Sequence, residues 1–166
     1  MDSRKIRVAI THGDTNGIGY ELIFKAFEDP MMLDLCTPII YGSPKVAAYH
    51  CDALGIDGNA FSIINSAAEA QDGRINLLPV FDEEIKIDLG MPSQEASRAA
   101  IKSIDRAITD YKDGLFDVLI TGPWTRTICM STASTSPVMR SSSKAASATE
   151  RKVSTCLSTA CCGWPS

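Results

Sequence analysis

Residues 8–27 read VAITHGDTNGIGYELIFKAF: a β-branched apolar run, a glycine-rich turn carrying one aspartate, and an amphipathic helical pattern. The run Ile6 to Thr11 is short, apolar and unalternating, as in a strand buried on both faces. Tyr20, Ile23, Phe24 and Phe27 recur on one helical face. The predicted helix runs from near Gly17 to about Glu28, where Asp29-Pro30 stops it. A strand that passes through glycines into a helix opens an α/β sheet. Loops at the carboxyl ends of such strands are where these sheets hold ligands.

Moving outward, residues 37–43 (TPIIYGS) read as a second strand, followed by a short helix from Pro44 to Gly55. AFSIIN and INLLPV are two further short strands, separated by the polar SAAEAQDGR. The clearest helix covers residues 93–112: Ser93 suits the N-cap, Glu95 the positive end of the dipole and Gly114 the exit. Its expected buried stripe is Ala100, Ile104, Ala107, Ile108 and Tyr111. Residues 116–121 (FDVLIT) give a last strand ending at TGP, and the acidic FDEEIKID (81–88) reads as a solvated strand or turn. The alternation predicts an α/β fold, a partly parallel sheet with flanking helices.

At the turn itself, Gly17 and Gly19 permit close backbone approach, and a helix N-terminus offers free N–H groups to an anion. Asp14 can orient a substrate hydroxyl or amine, or cap the helix; a tight Asx-type turn accounts for the same residues without a ligand. The order H-G-D-T-N-G-I-G is neither G-x-G-x-x-G nor a Walker A loop, so neither nucleotide fingerprint applies.

The chain has 166 residues, 45% apolar and 22% charged, with a net charge of −4. No apolar run reaches the length of a membrane span. The acidic balance gives no reason to expect nucleic acid. The opening MDSRKIRVAI enters a strand pattern with no secretory features, so the expected location is cytoplasmic. These averages hide a seam. Residues 1–123 hold 19 acids and 11 bases, whereas residues 124–166 hold one acid and five bases. The second part also carries 17 Ser or Thr in 43 residues, both Trp and four of the six Cys.

ITHGDTNGIGYEL resembles the N-terminal signature of the 4-hydroxythreonine-4-phosphate dehydrogenase family, I-T-x-G-D-P-x-G-I-G-P-E, with Thr15 and Tyr20 standing where that pattern favours Pro. GMPSQEASRAAIKSIDRAITDYKDGLFDVLITGP is similar to the family's next block, a long helix leading into a strand and a T-[AG]-P turn. The resemblance covers residues 5–123. It implies a truncated isocitrate/isopropylmalate dehydrogenase-like fold. The implied activity is NAD-dependent oxidation, with decarboxylation, of 4-phosphooxy-threonine on the route to pyridoxal phosphate. A divalent metal (Zn, Mg or Co) and a homodimer are implied for the intact family. Asp14, Gly17, Gly19, Thr121 and Gly122 are the substrate- or cofactor-binding candidates it leaves in this chain.

After T-G-P the family continues with a Lys three positions on, then a Gly, a Phe and G-H-T-E. Here the chain reads WTRTICMSTASTSPVMRS. Joining the last base of each codon to the first two of the next changes this. Trp124–Thr125 must give Asp, Thr125–Arg126 can give Lys, and Cys129–Met130 gives His or Tyr. Pro137 to Ser141 can then give Gly-His-Ala-Glu. The Lys, the Gly and the G-H-A-E fall at the family's spacings. Residues 124–166 are therefore expected to be an out-of-frame, disordered tail beside an N-terminal α/β part, 1–123.

On that reading the family's G-H-T-E and three later metal-binding His residues are missing. No catalytic residue or metal ligand is assigned, and the chain is expected to be inactive, with no cofactor bound. Arg126 stands where the Lys should be and cannot act as a tunable base. His12, at a variable position of the signature, receives no catalytic role, and His50 is expected at a helix surface. Cys129, Cys156, Cys161 and Cys162 lack the spacing of a metal site. Two rivals remain: a phosphate acyltransferase of related fold, and a non-catalytic fragment whose Gly17–Gly19 turn holds phosphate.

Overall fold

Ile6–Thr11 forms strand β1 in a computed structural model that describes residues 5–56, 61–81 and 85–123. Cys36–Gly42 (β2) pairs with it on one side and Val118–Thr121 (β5) on the other. Ile75–Pro79 (β4) lies beyond β2, and Phe61–Ile63 (β3) forms the edge beside β4. The order is β3-β4-β2-β1-β5 and every pairing is parallel. The expected partly parallel sheet is parallel throughout the described strands. Register sets Thr11 opposite both Tyr41 and Thr121, so the carboxyl ends of β2, β1 and β5 share one edge.

Helices occupy Gly19–Ala26 (α1), Pro30–Leu35 (α2), Pro44–Leu54 (α3) and Gln94–Lys112 (α4). Val8 and Ile10 pack with Tyr20, Ile23 and Phe24 of α1 and Val46, Ala47 and Cys51 of α3. Ala9, Ile39, Tyr41 and Leu78 pack in a separate cluster with Ala107 of α4 and Phe116. Alternate residues of β1 thus enter two cores, which is why Val8, Ala9 and Ile10 are apolar in succession. No helix among the described residues is long and apolar enough to cross a membrane.

Four details differ from the sequence expectation. Helix α1 starts at Gly19, because residues 14–17 are spent in a turn. Asp29-Pro30 ends α1 but also starts α2: the Asp29 carboxylate accepts from the Met31 N–H at 2.9 Å, and Pro30 takes the first helical position, where its missing N–H is not needed. Along α4 the cap at Ser93 is as expected, its Oγ accepting from Ala96 N at 3.0 Å. The buried face, however, is Ala96, Ser97, Ala99, Ala100, Ser103, Ala107 and Asp110, while Ile104, Ile108 and Tyr111 are half-buried. Small side chains let α4 lie close to the sheet and roll the larger ones to its margins. Finally, Phe81 is buried and residues 85–88 form no strand, with residues 82–84 outside the described set. The tail from residue 124, with Arg126 and its four cysteines, also lies outside it.

Candidate functional site

The chain leaves β1 at Thr11 and turns sharply at Gly13, whose φ of 75° is the left-handed region that favours glycine. Asp14 N then donates to the carbonyl of Pro123 at 3.1 Å, and Gly122 N donates to that of Thr11 at 2.8 Å. Two turns far apart in sequence, one after β1 and one after β5, are stitched side by side. Within the first, the Asp14 carboxylate accepts from Asn16 N at 3.0 Å and the Asp14 carbonyl from Gly17 N at 3.1 Å. Asp14 therefore builds an Asx turn. It does not cap α1, whose N-cap residue Ile18 makes no side-chain cap bond.

All five candidates, Asp14, Gly17, Gly19, Thr121 and Gly122, come together at this edge, but for different reasons. A Cβ on Gly19 would collide with the His12 carbonyl oxygen, and one on Gly122 would lie 2.6 Å from the same atom. Chain-on-chain packing requires both glycines. Gly17 is freer, since its Cβ would meet Asp14 Cβ at 3.3 Å. Asp14 and Gly19 are buried, whereas Gly17, Thr121 and Gly122 are partly open to solvent. These last three are the solvent-accessible members.

Four further residues shape the turn without having been singled out as site residues. His12 is fully buried; its Nδ1–H donates to the Tyr41 carbonyl at 2.9 Å. Burial pulls its pKa down to about 4, with the nearby His50 adding to the depression against that hydrogen bond. The Tyr20 ring lies near-parallel to both imidazoles, 5.3 Å from His12 and 5.1 Å from His50. Its hydroxyl accepts from Ser43 N at 3.1 Å and fills the space where a Cβ on Gly42 would be. Burial raises the Tyr20 pKa, so the phenol stays neutral. His50 is not at the surface as expected: it is 4% exposed, and its Nε2–H donates to the Thr15 carbonyl at 3.0 Å. A single polar residue on a short helix carries no sequence signal for such a partner.

Asn16 is the fourth. Its Nδ2 donates to the Met91 carbonyl at 2.8 Å and to Ser93 Oγ at 3.4 Å. Its Oδ1 accepts from Asp88 N at 3.2 Å, and its carbonyl accepts from Gly90 N at 2.8 Å. The turn thereby holds segment 88–93 and the start of α4. Its one sequence cue is a polar residue between Asp14 and Gly17, which any solvated turn would also show.

Among the described residues, no three His, Cys, Asp or Glu side chains come together to hold a metal. His12 Nδ1 and His50 Nε2 are both committed to backbone carbonyls. This donor set does not fit a divalent cation. Buried Thr11 Oγ1, His12 Nε2 and Thr15 Oγ1 have no hydrogen-bond partner among the described residues.

A parallel α/β sheet with stitched glycine turns at its carboxyl edge defines a class of scaffold that binds small ligands there. The chain belongs to the PdxA family: the family model described as "Pyridoxal phosphate biosynthetic protein PdxA" matches residues 34–157. The 4-hydroxythreonine-4-phosphate dehydrogenase of Bacteroides thetaiotaomicron is 53% identical over 123 residues, 74% of this chain and 34% of that protein. A protein of Symbiobacterium thermophilum, named provisionally as a D-threonate 4-phosphate dehydrogenase, is 32% identical over 126 residues, 74% of this chain and 37% of its own length. The fold is shared with the crystal structure of a 4-hydroxythreonine-4-phosphate dehydrogenase from Burkholderia phymatum, with a TM-score of 0.70 and 24% identity over 81% of this chain and 41% of that one. This chain spans about a third of the length of the curated relatives it matches.

Proposed function

We propose that this chain is the N-terminal α/β part, residues 1–123, of a cytoplasmic dehydrogenase with an isocitrate/isopropylmalate dehydrogenase-like fold. The parent reaction is NAD-dependent oxidation, with decarboxylation, of 4-phosphooxy-threonine in pyridoxal phosphate biosynthesis. The observation that carries this reading is the 53% identity to the Bacteroides enzyme. The name of the Symbiobacterium relative keeps a sugar-acid phosphate in view as the substrate. The named relatives are dehydrogenases, so the acyltransferase reading has nothing further to support it.

In the parent, Gly17, Thr121 and Gly122 present backbone to the substrate or NAD, while Asp14 and Gly19 hold the turn that does so. The intact enzyme is a homodimer that takes a divalent metal to polarise its substrate. The described residues do not supply that metal's ligands, and no step is assigned through it here. The chain itself is inactive: hydride transfer requires substrate and cofactor held in reacting geometry. The residues for that lie beyond Pro123, where this sequence leaves the frame.

The 123-residue Bacteroides match has the length of the chain up to Pro123. The family-model match extends to residue 157 and marks the competing reading, in which the present frame continues the enzyme. Sequencing the DNA across codons 120–145 and onward decides between them. The expected result is an open frame one base away, running for about as many residues again and encoding three more His. The repaired chain should form NADH from 4-phosphooxy-threonine. Turnover by the chain as it stands, or DNA with no second open frame, overturns the reading.

A further inference from the structure

We propose that His12 and His50 latch the turn after β1 and release it on acidification, with His12 as the sensor and His50 as the tether. The proposal concerns the turn's conformation and stands whether or not the turn holds a ligand.

In the closed state both imidazoles donate to backbone carbonyls. His12 Nδ1–H binds the Tyr41 carbonyl of β2, and His50 Nε2–H binds the Thr15 carbonyl from α3. The tautomer of His12 follows from its partner: a carbonyl accepts, so Nδ1 carries the proton and Nε2 is left as a bare lone pair. That Nε2 is buried and, among the described residues, has no hydrogen-bond partner. A proton added there creates a cation with an unpaired N–H inside the protein, an arrangement folded proteins avoid.

The described groups around the pair offer no relief. Tyr20 of α1 faces both rings and remains neutral. Phe81, following β4, lies tilted against His12 with ring centroids 5.7 Å apart. Tyr49 meets His50 edge-on at 5.9 Å, and Cys51 is buried beside it in α3. Among the described residues, the Asp14 carboxylate accepts the Asn16 N–H within the turn, and Asp52, two residues on from His50, is exposed. Charge on His50 would repel charge on His12 and so opposes its protonation.

His12 is the first residue of the turn, so solvating its cation means lifting residues 12–17 away from Tyr20 and Phe81. That movement breaks the His50–Thr15 bond, and through Asn16 it loosens segment 88–93. The opening is local because β2 keeps its pairing with β4, and Ile23 and Phe24 of α1 keep their apolar packing with Val46 and Ala47 of α3, when the His12 ring leaves.

Amide hydrogen exchange of the full chain tests this, with intrinsic rates corrected for pH. Below about pH 6.5, exchange in 12–19 and 88–93 is expected to accelerate about tenfold per pH unit, while β2 and β4 stay protected. His12→Asn keeps a donor for the Tyr41 carbonyl and cannot titrate, so its turn should stay closed. Should that variant fail to fold, histidine ring NMR of the unaltered chain decides: proton uptake at His12 and opening of the turn must share one midpoint. Separate midpoints, acid opening that persists in His12→Asn, or uniform acceleration across the sheet overturns the proposal.

Discussion

The backbone N–H of Asp14 donates to the carbonyl oxygen of Pro123 at 3.1 Å, joining the first turn of the sheet to its last. The two turns can approach this closely only where they lack side chains. A Cβ on Gly13 would collide with Pro123 O, and one on Gly19 with His12 O. Gly13→Ala and Gly19→Ala should each lower stability by about 2–3 kcal/mol, the first by imposing a side chain on a left-handed φ and the second by overpacking. Gly17→Ala, with an ordinary φ and a tight contact that Asp14 must yield to by a few tenths of an ångström, should cost about 1 kcal/mol. Urea denaturation measures all three. Equal losses would mean that packing does not distinguish the glycines.

Asn16 makes the second prediction. Its side chain exchanges three hydrogen bonds with Asp88, Met91 and Ser93. Asn16→Ala should destabilise the fold by about 2–3 kcal/mol, at roughly 1 kcal/mol for each bond lost in a buried setting. The change should also raise amide exchange in 88–93 specifically. A loss within 0.5 kcal/mol would show that the contacts carry no energy.

The depressed pKa of His12 gives a third prediction, with a definite sign. The unfolded chain takes up a proton near pH 6.5, whereas the folded chain resists it down to about 4. Between these values the unfolded state binds more protons, so stability rises with pH. The contribution is complete above about pH 6.5 and is lost as pH falls toward 4. From pH 6.5 to 5 the loss is about 2 kcal/mol, at 1.36 kcal/mol per unit of pKa shift. Urea midpoints across this range should fall, and should fall less in His12→Asn. Equal slopes in the two chains would assign the acid sensitivity to other groups.

Parts of this architecture are legible in the sequence because local and tertiary signals agree there. Strand β1 puts apolar residues on both faces at Val8 to Ile10 and is followed by a glycine turn, while α4 has a Ser cap, an acidic first turn and a long periodic stripe. The site is less legible. Asp14 and Gly17 invite a ligand reading, yet Asp14 spends its carboxylate on the turn itself. His50 looks like a surface residue because its partner, the Thr15 carbonyl, is a backbone atom invisible to any pattern. Tyr20 reads correctly as core, but its hydroxyl's role as acceptor for Ser43 N depends on the loop after β2. Helix α2 is hidden because Asp29-Pro30 ends one helix and begins another, and the first role masks the second.

A buried polar pair supplies the last prediction. The Tyr41 hydroxyl in β2 donates to Asp110 Oδ2 of α4 at 2.9 Å, and Arg106 Nε donates to Asp110 Oδ1 at 3.0 Å. The Arg106 side chain is 44% exposed and that of Asp110 only 5%, so solvent screens the ion pair and the phenol bond should dominate. Burial first, and then the hydrogen bond to Asp110, raises the Tyr41 pKa, which keeps the phenol a donor at any ordinary pH. Asp110→Ala strands that buried donor and should cost about 2–3 kcal/mol. Asp110→Asn retains a carbonyl acceptor and should cost about 1 kcal/mol. Arg106→Ala should cost less than about 1 kcal/mol. In a double-mutant cycle, Tyr41→Phe should remove most of the penalty of Asp110→Ala. Additive losses would mean that the two residues act independently, and that the small buried face of α4, not this bond, holds the helix to the sheet.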